Sequence, residues 1–236
     1  MTLLQTVIDE AQGTVPATRL LKRMKVLGTR IGSEALLDWV HRELTGYPAH
    51  TPVPTYRGPI AIAPEGIYHG LTAAGLAQLG PLPLARTAFP EDMADTLFNW
   101  DLREPLATLE DAAREEQTSS SWPEELVRFY NGRVRQGKGG PGSDWACVSV
   151  GFRIPRWVYA GVVDQIRTTA LDLALGLEQA APLAGQPDAG DETRAAARDV
   201  VQHNHYYLFG QFDRSNLTIG ASGTAHQQLS TDPHRQ

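Results

Sequence analysis

The chain has 236 residues, enough to bury one good-sized core with a small appendage. A hydrophobic fraction of 42% and a charged fraction of 20% are those of an ordinary folded protein and exclude a disordered one. The net charge of -6 argues against a generic polyanion binder, a local basic patch aside, and the single cysteine, Cys147, excludes an intramolecular disulfide and a cysteine-rich zinc site.

Two further bulk features set expectations. Arginine outnumbers lysine by 18 to 3, a coding-composition bias that lowers the functional weight of any single arginine. The opening MTLLQTVIDE carries acids where a signal peptide has basic residues, and no apolar run approaches the ~20 residues needed to span a bilayer. A cytoplasmic protein without a membrane partner is expected.

The first residues read as three helices, over 2–12, 16–31 and 33–46. Gly13 and Gly32 stop the first two, Pro16 suits the first turn of the second, and Ser33 is an N-cap for the third, with Glu34 placed well in its first turn. On the second helix Arg19, Lys22, Arg23 and Arg30 line one side, opposite Leu20, Leu21, Met24, Leu27 and Ile31, with no acid in the helix. Such a face is ordinarily solvated; its functional reading is a contact with nucleic acid or with an acidic partner.

The third helix puts a carboxylate among apolar residues. Counting about 100° per residue from Leu36, the positions Trp39, Val40, Leu44 and Tyr47 gather within about 80°, and Glu43 falls near the centre of that arc. An unpaired charge there costs several kcal/mol or more, so it needs a cation or a set of donors. Arg57, beyond a turn built from Gly46, Pro48, Pro52 and Pro54, is the nearest cation downstream. With Tyr47 and Tyr56 beside it, the pair reads first as a structural closure of the Pro-rich turn. Catalysis by Glu43, Arg57 and Tyr56 is the second reading, because a partly buried carboxylate can serve as a general base.

From 58 to 76 the pattern changes to short apolar alternation, which predicts a β-hairpin turning at Pro64-Glu65-Gly66. Helices are expected over 91–104 and 105–117, split at Pro105, and over 122–135, capped by Ser121 with Pro123 in the first turn. The segment 132–139, GRVRQGKG, imitates a phosphate loop but has Gly139 where Ser or Thr should be, follows a helix rather than a strand, and is set aside. A strand over 145–154 leads into a long helix over 155–179. That helix is apolar on two sides, with Tyr159, Val162, Val163, Ile166, Ala170, Leu173 and Leu177 on one and Trp157, Leu171 and Leu175 on the other. It is either central to the core or shared with a partner.

After Pro182 the composition turns to Ala, Gly, Pro and charge, a linker or a frayed helix. Beyond it lie two β-prone runs, 206–209 and 216–219, too short to stand alone and therefore expected to add to a sheet edge or to another subunit. His203 and His205 would share a face of a strand there, but an H-x-H pair without a carboxylate of metal-site spacing predicts no metal, and no cofactor is expected. The expected fold class is α+β and predominantly α-helical. It comprises a helical domain over 1–180 with a small β-hairpin or sheet, an Ala/Gly/Pro-rich linker over 181–200, and a self-associating C-terminal tail over 201–236.

Two blocks carry a family resemblance. Trp39, Glu43, Leu44, Gly46, Tyr47 and Pro48, followed by Pro54, Tyr56 and Arg57, form W-x3-E-L-x-G-Y-P and P-x-Y-R. This resembles the N-terminal signature of the AbiTii family of bacterial abortive-infection (phage-defence) proteins. The stretch 154–178, a V/I-x-x-x-I/V-R pattern leading into a Leu-rich run that ends in Leu-Glu, resembles the family's later helix. The resemblance spans most of residues 1–180 and implies a role in defence against phage. It carries over no catalytic residue. Two function classes remain: a non-enzymatic component that acts by binding and self-association, and a toxic enzyme acting on nucleic acid or nucleotides around Glu43 and Arg57. The expected partners are further copies of the chain, with a companion defence protein, a phage component or nucleic acid as the other classes.

Overall fold

The computed structural model of the chain describes residues 1–209. Local capping sets the first helices. Thr2 accepts a hydrogen bond from the backbone of Gln5 at the start of α1 (Leu3–Gln12), and Ser33 does the same for Leu36 at the start of α3 (Glu34–Thr45). Between them α2 (Ala17–Ile31) ends at Gly32, whose φ of 68° suits a residue without a Cβ. The amphipathic stripes of these helices meet around α7 (Arg156–Ala180), which packs on α1, α2, on α5 (Leu106–Ala112) and on α8 (Asp191–Phe209). Tyr159, Val162, Ile166, Ala170, Leu173 and Leu177 of α7 are buried in that core, whereas Trp157 is 71% exposed.

A four-stranded antiparallel sheet, in the order β3-β2-β6-β5, stands beside the helices. Its strands are β2 (Glu65–Thr72), β3 (Gly75–Pro83), β5 (Gln117–Ser121) and β6 (Trp145–Pro155). β6 joins two cores. Phe152 and Ile154 pack into the helical core, while Cys147 and Val150 belong to a smaller one with Tyr68, Phe89 and the inner face of α6 (Glu124–Arg135), from Val127 to Val134. Two short strands, β1 (Ile60–Ala61) and β4 (Asn99–Trp100), pair antiparallel and place Trp100 against Phe152, ring centroids 5.0 Å apart. The fold is α+β and mostly helical among the described residues, as the sequence predicts.

Four local expectations are corrected. The hairpin turns at Ala73-Ala74, not at Pro64-Glu65-Gly66. The Thr72 hydroxyl accepts from Ala74 N–H and donates to the Gly75 carbonyl, and the Pro-containing run after it forms β3, a strand that the prolines concealed. The helix expected over 91–104 is α4 (Glu91–Leu97) and stops where Asn99 and Trp100 pair with β1. The helix expected over 105–117 ends at Ala112, and the polar run 117–121 becomes β5 because β6 supplies its ladder. Ser121 is thus a strand residue rather than a cap, and Pro123 takes the N-cap position of α6.

The C-terminal expectations change most. Residues 181–200 are not a free linker: Ala181, Ala184, Ala189 and Ala197 are buried, Arg198 donates to the Ile31 carbonyl, and α8 packs on α2, α3 and α7. The run 206–209, expected as a strand, is the end of α8. On a helix the positions of His203 and His205 lie about 200° apart, so the shared face expected of a strand is lost. The second β-prone run and the rest of the tail lie outside the described residues.

Candidate functional site

The helical phase of α3 buries Leu36, Trp39, Val40 and Glu43 together. Both Glu43 and Arg57 have 0% exposure. Arg57 Nη2 donates to Glu43 Oε2 at 2.6 Å, and Nε spans Oε2 at 3.1 Å and Oε1 at 3.3 Å. Oε1 also accepts from the Tyr47 hydroxyl at 2.7 Å and the Tyr56 hydroxyl at 2.9 Å. Tyr56 in turn accepts from Trp39 Nε1 at 3.0 Å, and the Arg57 guanidinium lies 5.0 Å from the centre of the Tyr47 ring. Arg57 Nη1 donates to the carbonyls of Leu102 and Glu104, at 2.8 and 2.9 Å.

The chain geometry that brings these groups together depends on Gly46. It ends α3 at φ 90°, and a Cβ there would stand 2.7 Å from the Arg103 carbonyl oxygen. That close approach lets Tyr47 N–H donate to the same carbonyl at 2.8 Å, while Leu102 N–H donates to the Arg57 carbonyl. The signature residues Trp39, Glu43, Gly46, Tyr47, Tyr56 and Arg57 thus converge on the segment 102–105, with Pro48 directly after Tyr47 and accepting through its carbonyl from Arg103 at 2.8 Å. A carboxylate so saturated with donors is closed to a reacting molecule. Burial, and then the Glu43 charge, push both the Tyr47 and Tyr56 phenols well above their ordinary range, so they stay protonated as donors.

The AbiTii family model matches residues 2–203. The chain belongs to the AbiTii family. No curated protein and no solved structure matches it. Membership gives the protein a role in bacterial abortive-infection defence.

The other expected sites of this AbiTii protein fall out differently. Arg19 and Arg23 both pair with Glu10 of α1, at 3.2 and 2.7 Å, and Arg30 donates to the Gly185 carbonyl at 2.6 Å; Lys22 is exposed. Three of the four basic side chains therefore tie α2 to its neighbours. Their acid was hidden because it sits on a different helix. The segment 132–139 begins inside α6, which runs to Arg135, so its first half is helix and no strand leads into it as a phosphate loop requires. Among the described residues no group of three or more His, Cys, Asp or Glu side chains converges, and no helix is long and apolar enough to cross a membrane. Burial pushes the Cys147 thiol up to about 11, which keeps it protonated.

Two features carried no expected role, although Arg167, the first of them, is the arginine of the V/I-x-x-x-I/V-R pattern. Arg167 of α7 donates to the carbonyls of Glu10, Gly13 and Val15 and so closes the end of α1. A cavity of about 250 Å³ opens between α5, β5, β6 and α7, lined among others by Trp100, Glu104, Thr118, Phe152, Ile154 and Tyr159. It adjoins the signature cluster through the backbone of residues 102–104, which Arg57 holds from the other side.

Proposed function

We propose that this AbiTii protein acts in defence by binding and self-association, its copies joining along the free edge of β3. The observation that carries the reading is the β2–β3 hairpin. From Gly66 to Ala85 the chain has no Asp, Glu, Lys or Arg, yet Leu71 and Leu76, opposite one another across the ladder, are 78% and 75% exposed. Among the described residues β3 is an edge strand. Natural edges are usually guarded by charge, proline or a bulge. Here Pro81 and Pro83 guard the second half, and Gly75–Leu79 has no such guard.

Two copies of that half-strand fit one another. In an antiparallel pairing centred on Ala77, Leu79 of each copy lies opposite Gly75 of its partner, large against small, and Leu76 lies opposite Gln78. A chain of net charge -6 repels its copies over most of its surface, and a neutral hairpin is where that repulsion is least. The rival reading, catalysis at Glu43 and Arg57, requires opening a fully buried and fully bonded pair, and is set aside. The same reading places the protein in the cytoplasm, where a reduced Cys147 is at home.

The test is a cross-link. Ala77→Cys should oxidise to a covalent dimer across the two-fold axis, Asp111→Cys should not, and Leu76→Lys should reduce the mass by light scattering to that of one chain while leaving the circular dichroism unchanged. A wild-type protein that scatters as a single chain, or a Leu76→Lys variant with undiminished mass, contradicts edge pairing.

A further inference from the structure

Among the described residues Glu104, Thr169 and Arg194 each have a buried side-chain atom without a hydrogen-bond partner, and of the three only Glu104 is a carboxylate. Its Oε2 is buried and accepts no hydrogen bond, and the side chain forms no ion pair among the described residues. Leaving a buried acceptor unsatisfied costs about 1–3 kcal/mol, more when it is charged, so such groups persist where something other than stability retains them. The unsatisfied atom belongs to a residue that lines the 250 Å³ cavity, where three aromatic side chains stand among aliphatic and hydroxyl groups. Trp100 and Phe152 lie with their rings tilted at 53°, and Tyr159 faces the same space. Aromatic faces carry negative potential and attract cations. The Thr118 and Tyr159 hydroxyls are bonded to each other, so one of the two O–H groups remains to orient a ligand. Glu115 adds a second negative charge close enough to act on the Tyr159 phenol.

We propose that this cavity is a binding site for a small organic cation, an ammonium group on a compact apolar body. The ammonium sits on the Glu104 carboxylate and against the aromatic rings, and the apolar part lies on Ile154 and Leu109. At roughly 30 Å³ for each water-sized group, the volume admits about eight non-hydrogen atoms. No cation lines the cavity, and the Glu104 carboxylate disfavours phosphates there, so a nucleotide is not the ligand proposed. The site is held in advance: Arg57 fixes the Leu102 and Glu104 carbonyls, and the pairing of Trp100 with Ile60 fixes the indole. The Glu43–Arg57 signature, closed to ligands itself, braces the wall that carries Glu104. This inference does not depend on edge pairing.

Calorimetric titration of the full chain with benzylamine, with tetramethylammonium and with neutral benzyl alcohol tests it. Benzylamine should bind at least about tenfold more tightly than benzyl alcohol, because the alcohol can give the carboxylate one neutral hydrogen bond whereas the amine brings a positive charge to the carboxylate and to the ring faces. Glu104→Gln should abolish that preference while the free variant melts at the wild-type temperature or above. Trp100→Leu should weaken both cations and spare the alcohol. The proposal is overturned if neither cation binds, if amine and alcohol bind equally, or if Glu104→Gln binds benzylamine as the wild type does. It is overturned equally if Glu104→Gln melts several degrees lower, since the carboxylate would then be part of the fold.

Discussion

Glu43 and Glu104 are carboxylates on opposite sides of one short segment, and Arg57 touches both residues. It gives Glu43 two nitrogens for its carboxylate and gives Glu104 only a bond to its backbone carbonyl. Glu43 has two tyrosine hydroxyls besides; Glu104 Oε2 has no donor among the described residues. The same residue type is therefore cement in one place and an open acceptor in the other. Glu43 is fully buried and Glu104 half-buried, and the inventory of donors widens the difference.

The largest expected effect of breaking this contrast comes from Glu43→Ala. It strands Arg57, fully buried, without its counter-charge, and such losses run to about 3–5 kcal/mol. Denaturant unfolding measures it directly, and a shift under about 1 kcal/mol would show that the pair is dispensable.

Next is Tyr47→Phe, which removes a hydrogen bond to an ionised group and should cost about 1.5–3 kcal/mol at neutral pH. The same variant sharpens the alkaline behaviour. The folded pKa of Tyr47 lies above its unfolded value of about 10, so the stabilisation of the neutral phenol is complete below pH 10 and is lost as the pH rises beyond it. Each such phenol steepens the alkaline loss by about 1.4 kcal/mol per pH unit, and Tyr47→Phe should flatten the curve by that amount above pH 10. A slope unchanged by the variant would mean that Tyr47 ionises as freely folded as unfolded.

The smallest effect belongs to the basic face. Arg23→Glu breaks a partly exposed bridge to Glu10 and should cost about 1 kcal/mol or less. Because three of the four cations already have partners in the chain, retardation of DNA or RNA at low salt should be no weaker in the variant than in the wild type. A uniform loss of retardation across sequences would restore nucleic acid as a ligand of this face.

What was legible in the sequence follows the range of the interaction. α1, α2, α3 and α7 stand out because caps, glycine stops and 3.6-residue stripes are local. Glu43 and Arg57 could be paired because a carboxylate in an apolar arc demands a cation and the Pro-rich turn limits the choice. β3 and β5 were hidden, one by its prolines and one by its serines, since each is a strand only through its partner across the ladder. The end of α8 reads as a strand because its aromatic content outweighs the helical signal of the residues before it. Glu104 was silent for the same reason: an acceptor without a donor is a property of the surroundings, and those surroundings come from α5, β5, β6 and α7.

Unfolding free energies of Glu43→Ala and Glu104→Gln, measured side by side in the full chain at neutral pH, test the contrast most directly. The account predicts a loss of about 3–5 kcal/mol for Glu43→Ala and no loss, or a gain, for Glu104→Gln. Equal losses, or a larger one for Glu104→Gln, would contradict it.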